Sequence, residues 1–323
     1  MKLAKTFAYI KKDLIEMESV LEDTIKSEND TLHHASLQLL KAGGKRLRPI
    51  FVLLASMFGE TDKQQIKKVA SALELIHMAS LVHDDVIDDS NVRRGAPTVK
   101  ANWDNQIAML TGDYIFAKAL DQFTDIDEPR AHQLLAKTMM ELTLGEIEQI
   151  KDKYNVDQHL RLYLRRIRRK TALLISSSCQ IGAIVSNTTA DVERTLFKYG
   201  YYIGMSYQII DDILDFTGTE KELGKPAGSD LIQGNVTLPV LYAMEDVEFK
   251  QQLKIVFEQR DSLSKQSYYP IIEYIKQSNA IDRARDLSDA YLKKAYNSLG
   301  NLPDNKAKKA LEEIANYIGK RKI

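Results

Sequence analysis

Seven aspartates gather at two places where aspartate is costly. Asp84, Asp85, Asp88 and Asp89 close the segment SALELIHMASLVHDDVIDD, and Asp211, Asp212 and Asp215 close YYIGMSYQIIDDILDF; both read DDxxD at the end of a long apolar stretch. On a helix, positions i and i+4, and i+1 and i+4, share a face, so three carboxylates of each motif can converge. Two like charges ~4 Å apart repel by about 4 kcal/mol at an effective dielectric of ~20, and the negative end of the helix dipole adds to that penalty. A hard divalent cation offsets it. Mg2+ in particular takes one or two carboxylates together with water and phosphate oxygens rather than an all-protein cage. A single DD pair at a helix end is most simply a solvated terminus. Two copies, each closing an apolar helix and each followed by a basic loop (NVRRGAPT and ELGKPAGSD), point instead to bound metal and a phosphorylated ligand.

Cations for such a ligand are present nearby in sequence. AGGKRLRP places Lys45, Arg46 and Arg48 after a glycine pair and at a helix start, where backbone N–H groups and positive side chains can hold a diphosphate; a solvated basic helix start is the plain alternative. Arg93 and Arg94 follow the first cluster closely, so one can face a metal-bound anion while its neighbour faces a second anion. His77 lies two turns before Asp84 on roughly the same face, where a satisfied core histidine is the competing reading. Lys170, Thr171, Gln208 and Lys225 complete the donors near the expected rim. Of the run RRIRRK only its last residue, Lys170, is singled out; the rest reads as a solvated helix face.

The elements that must position these groups are helices. Apolar residues recur with helical period almost throughout, as in Leu160, Tyr163, Leu164 and Ile167, which predicts an all-α protein of ten to thirteen helices. Stretches near 62–89, 157–186 and 190–216 are apolar on more than one face and should lie centrally in a bundle. The chain has 323 residues, 44% hydrophobic and 28% charged, with 15 Gly and 7 Pro, which excludes collagenous, low-complexity and mostly disordered classes. No linker or repeat divides it, so residues 1–323 read as a single domain, one large helical bundle. Lys plus Arg and Asp plus Glu are both 45, so no global field favours nucleic acid, and no such partner is expected. One cysteine, Cys179, sits in LLISSSCQIGAIV and reads as a buried inert thiol. Without a signal-peptide pattern or a long apolar run, the chain is expected in the cytoplasm. The break from Thr217 to Pro239 is long for a bundle, and such loops are commonly functional.

With these residues assembled, the chain resembles the trans-isoprenyl diphosphate synthase family over essentially its whole length. GGKRLRP, HDDVIDD with the following RRG, the KT pair, and QIIDDILDF followed by GK are the family's signature elements, in order. The resemblance implies an isoprenoid synthase fold, a bundle around a deep apolar cavity. It implies more than one Mg2+, held by Asp84 and Asp88 with Asp85 supporting, and by Asp211, Asp212 and Asp215. Arg93, Lys170, Thr171, Gln208 and Lys225 match positions contacting the allylic diphosphate; Lys45, Arg48, His77 and Arg94 match those binding isopentenyl diphosphate. The activity implied is ionisation of an allylic diphosphate, with farnesyl diphosphate as primer, condensation with isopentenyl diphosphate and proton loss. Asp84, Asp85, Asp88, Arg93, Lys170, Asp211 and Asp212 would act in catalysis.

Product length should be set by what lies below the first motif. Short-chain members carry bulky aromatics four or five residues before the first Asp, whereas this chain has Ala79 and Ser80 there, with Phe116 of the neighbouring segment a candidate for a deeper floor. A product longer than farnesyl or geranylgeranyl is expected from these small residues, and the family resemblance implies heptaprenyl length for a menaquinone side chain. The two-component members within the family imply a small non-catalytic partner subunit; a homodimer is the alternative. A long apolar product implies transient contact with the inner face of the membrane, for which the terminal GKRKI could serve, or it could cap a diphosphate site or be a solvated tail. Two other readings compete. A class I terpene cyclase also ionises prenyl diphosphates but needs no second anion site, and a non-catalytic helical subunit would not need both intact aspartate motifs.

Overall fold

Helix starts follow from capping residues. Asp62 accepts from the N–H groups of Gln64 and Gln65 and opens helix Lys63–Ile87; Asp104 accepts from Ile107 N and opens helix Asn105–Thr124. A computed structural model describes residues 10–60, 62–219 and 226–321. Among these the only extended structure is a hairpin of two-residue strands, Val92–Arg93 and Ala96–Pro97; everything else regular is helical.

The chain sorts into two compact units. The first comprises residues 1–138, 174–200 and 298–314. Its centre is helix Lys63–Ile87, packed against helices Asn105–Thr124, Leu47–Ser56 and Lys11–Thr24. Gly112 lies against His83 while Gln122 donates to Lys68 O at 3.0 Å, so helices 63–87 and 105–124 run antiparallel. Helix 47–56 is buried on all sides but Arg48, as its continuous apolar sequence requires. Cys179, buried in this unit, is a free thiol whose pKa burial pushes up, so the inert reading stands.

The second unit comprises residues 139–173, 201–297 and 315–323. Its core gathers Tyr163, Ile209, Ile213, Phe216, Leu231 and Leu253. The segment expected as one helix near 157–186 is α-helical over Leu160–Ile167 and Leu173–Ile184, with a π-helical turn, Arg168–Ala172, between them. That turn contains Lys170 and Thr171. A Cβ on Gly204 would fall 2.5 Å from Ala172 Cα, so the backbone of helix Ala190–Thr217 presses directly on the π-turn. Such turns frequently mark functional positions.

Candidate active site

In the first unit, helix 63–87 ends in a Schellman motif: Ser90 N donates to Asp85 O at 2.9 Å, Asp89 N donates to Val86 O, and Asp89 takes the left-handed conformation (φ 50°). Asp84, Asp85 and Asp88 therefore occupy the last turn, where the helix dipole disfavours negative charge. Asp85 is buried and accepts from Arg93 Nε at 2.8 Å. Burial raises its pKa, Arg93 opposes that, and Asp84 and Asp88 add to it. Asp89 turns outward to pair with Lys100.

The hairpin that follows sends its two arginines apart. Strand pairing of Arg93 with Ala96 leaves Arg94 (φ 54°) and Gly95 (φ 76°) as a two-residue turn with both φ positive, the type I′ geometry that favours glycine at one corner. Arg93 reaches Asp85. Arg94 lies instead over the glycine pair: a Cβ on Gly44 would meet its Nη1 at 2.7 Å. His77 is half-buried on the same side; burial pushes its pKa well below the ordinary value, and the charges of Arg48, Arg94, Arg93 and Arg46 push it further. It is a neutral imidazole beside a guanidinium cluster. Lys45 is exposed and Arg48 half-buried at the start of helix 47–56. Arg46 does something else: in a left-handed conformation (φ 47°) it pairs with Glu18 at 2.5 Å and Glu74 at 3.3 Å and donates to Leu40 O, which locks the loop under the glycine pair.

Below Asp84, Ser80 is half-buried and donates to His77 O at 2.8 Å, on the face that carries His77 and Asp84; Ala79 is 0% exposed. Phe116 has its ring 5.7 Å from that of His83, one turn further along its helix than Gly112, which lies against His83.

In the second unit, Asp211, Asp212 and Asp215 are treated unequally. Asp211 pairs with Arg321, whose guanidinium lies 4.7 Å from the Tyr207 ring centroid. Asp212 is buried, accepts from Tyr163 Oη at 2.7 Å and from Gln208 Nε2 at 2.8 Å, and is pushed up to about 7 by burial, with Gln208 and Tyr163 opposing and Asp230 adding to the rise. Asp215 is buried, accepting from Ser229 Oγ at 2.9 Å and from Asp230 N at 3.2 Å, and so anchors the chain re-entering after the long break. Thr171 Oγ1 donates to Gln208 Oε1 at 2.7 Å, which ties the KT pair to this cluster, and Lys170 pairs with Glu146 at 3.0 Å. Lys225 lies outside the described residues, as do the last two residues of the terminal GKRKI.

Among the described residues no three acidic, imidazole or thiol side chains gather as a metal-holding group. Burial forces Asp85, Asp212 and Asp215 to find partners in the chain itself. The donor set still suits a hard cation completed by phosphate and water oxygens. The RRIRRK run is not a solvated face: Arg166 is buried, donating to Gln158 Oε1 and Val236 O, while Arg165 pairs with Glu148, Arg168 with Glu141, and Arg169 with both. The sequence signal for this was Glu141, Glu146 and Glu148 at helical spacing on the preceding helix.

The arrangement is that of isoprenyl diphosphate synthases. A crystal structure of heptaprenyl diphosphate synthase from Staphylococcus aureus superimposes with a TM-score of 0.93 at 44% identity, covering 97% of this chain and 98% of that one. A polyprenyl synthase from Caulobacter crescentus CB15, crystallised with calcium and isoprenyl diphosphate, gives a TM-score of 0.94 at 30% identity, with 98% and 97% covered. The heptaprenyl diphosphate synthase component 2 of Bacillus subtilis (strain 168) is 56% identical over all of this chain and 92% of its own length. The polyprenyl synthetase family profile matches residues 29–275, and the chain belongs to that family.

Proposed function

We propose that this chain is the catalytic component of a heptaprenyl diphosphate synthase, a trans-prenyltransferase that adds isopentenyl diphosphate units to an allylic primer, farnesyl diphosphate, to build the long-chain diphosphate of a menaquinone side chain. What carries this over prenyl cyclisation is the divergence of Arg93 and Arg94: one guanidinium serves the aspartate cluster, the other the Gly43–Gly44 loop. Two anion sites suit two diphosphates. Lys45, Arg48, His77 and Arg94 hold isopentenyl diphosphate; Arg93, Lys170, Thr171, Gln208 and Lys225 hold the allylic diphosphate.

More than one magnesium ion, bound by Asp84, Asp88 and Asp211 with Asp85, Asp212 and Asp215 in support, would supply charge to the departing diphosphate. The protein's part is fixed positive charge and exclusion of water: Arg93 and Lys170 stabilise the leaving group, and an apolar cavity beneath Asp84 protects the allylic cation from quenching. Residues 1–323 act as one domain in this reading, and the growing chain runs past Ser80 and Ala79.

The names of relatives as component 2 support a small non-catalytic partner, with a homodimer as alternative. Helix Pro129–Asp152 offers an apolar face for it, with Met140, Leu144 and Ile147 exposed. No helix among the described residues is long and apolar enough to cross a membrane; a cytoplasmic enzyme touching the inner membrane face suits the product. The test is to incubate the purified chain, alone and with a candidate small subunit, with magnesium, farnesyl diphosphate and labelled isopentenyl diphosphate. Long-chain product is expected. Cyclic hydrocarbon from farnesyl diphosphate alone, or no elongation under either condition, overturns the reading.

A further inference from the structure

Tyr163 is wholly buried in the core of the second unit, yet its hydroxyl is not left without a polar partner, since it donates to Asp212 Oδ2 at 2.7 Å. The other oxygen, Oδ1, accepts from Gln208 Nε2 at 2.8 Å, and Gln208 Oε1 accepts from Thr171 Oγ1 at 2.7 Å. The direction of this chain is dictated by chemistry. In its ionised form Asp212 only accepts, and the amide then turns its NH2 toward Asp212 and its carbonyl toward Thr171. Arg166 steadies the ring from above, with its guanidinium 5.8 Å from the ring centroid and bound to Gln158 and Val236 O.

A buried carboxylate oxygen without a donor is costly. With the phenol in place, Gln208 needs to cover one oxygen only, so one of its two N–H groups is left for a diphosphate while its carbonyl accepts from Thr171. Without the phenol, the Gln208 amide is drawn to bridge both oxygens and spends both N–H groups on Asp212. The π-turn 168–172 is pinned through its backbone by Gly204, which fixes the Thr171 end of the chain.

We propose that Tyr163 is a positioning residue for the allylic diphosphate: by covering one Asp212 oxygen it leaves the second Gln208 N–H for that substrate, with the Gln208 carbonyl held by the Thr171 hydroxyl. This rests on the proposed prenyltransferase reading. The experiment is steady-state kinetics of wild type, Tyr163→Phe, Asp212→Asn and the double variant, in the full chain with its partner subunit if activity requires it. Farnesyl diphosphate and isopentenyl diphosphate are varied separately, and melting temperature is read alongside. Tyr163→Phe should raise the KM for farnesyl diphosphate about tenfold, the loss expected for one hydrogen bond to a charged group. The KM for isopentenyl diphosphate should stay near the wild-type value. In the Asp212→Asn background Tyr163→Phe should add less than about twofold, because the two residues act in series.

An unchanged KM for farnesyl diphosphate, an equal rise in both KM values, or multiplicative effects in the double variant overturns the proposal. Should Tyr163→Phe depress the melting temperature, Thr171→Val combined with it makes the same comparison at the other end of the chain: non-additive effects on KM support the proposal and additive ones overturn it. Failure of the wild type itself to elongate farnesyl diphosphate would count against the function reading, whereas an active wild type with an indifferent Tyr163→Phe counts against Tyr163.

Discussion

Ser80 lies four residues behind Asp84, about 6 Å along the helix axis, and its partly accessible side chain shares a face with His77 and Asp84. Its hydroxyl is bonded locally, to His77 O, so among the described residues replacement by Phe strands no distant partner. A ring at this depth stands in the way of a chain growing down from the carboxylates. Forcing extra apolar volume past well-packed side chains costs ~1–3 kcal/mol, which lowers each further elongation by about five- to 150-fold against release. The first condensation happens above the ring and should keep its rate. Ala79→Phe should behave differently: Ala79 is 0% exposed, so the ring overpacks the interior and lowers stability by ~1–3 kcal/mol. The assay is radiolabelled product resolved by chain length, with melting temperature measured in parallel. Wild-type product lengths from Ser80→Phe at undiminished rate would refute the placement of the path.

Asp84→Ala and Asp211→Ala should each lower turnover by about two to three orders of magnitude with the helical circular dichroism intact; activity retained in both would remove the carboxylate assignment. Gly44→Ala should raise the KM for isopentenyl diphosphate more than that for the primer, since a Cβ there displaces the Arg94 guanidinium. Asp212, at about 7 in the folded chain against an ordinary 3.8, holds its proton more tightly when folded. Its stabilising contribution is therefore full below pH ~4 and lost as the pH rises through about 7. Magnesium-free melting temperatures should fall over that window, and Asp212→Asn should flatten the slope. Arg321→Ala removes the cation paired with Asp211 and should lower the half-saturating magnesium concentration by up to about fivefold; an unchanged magnesium titration would mean that Arg321 does not compete for that carboxylate.

Much of this protein could be read from its residues in order. Apolar spacing gives helices, and the duplicated DDxxD with its trailing arginines places the chain in its family, because helical periodicity and charge are local properties of the chain. What local spacing cannot carry is which partner each polar group meets. The motif makes Asp211, Asp212 and Asp215 look equivalent, but burial commits Asp212 to Tyr163 and Gln208 and Asp215 to Ser229, leaving Asp211 to Arg321 from far along the chain. The π-turn under Lys170, the pairing of RRIRRK with Glu141, Glu146 and Glu148, and the distinction between Ala79 and Ser80 are likewise products of packing. Desolvation acts on the folded surroundings of a side chain, and those surroundings exist only once distant segments have met.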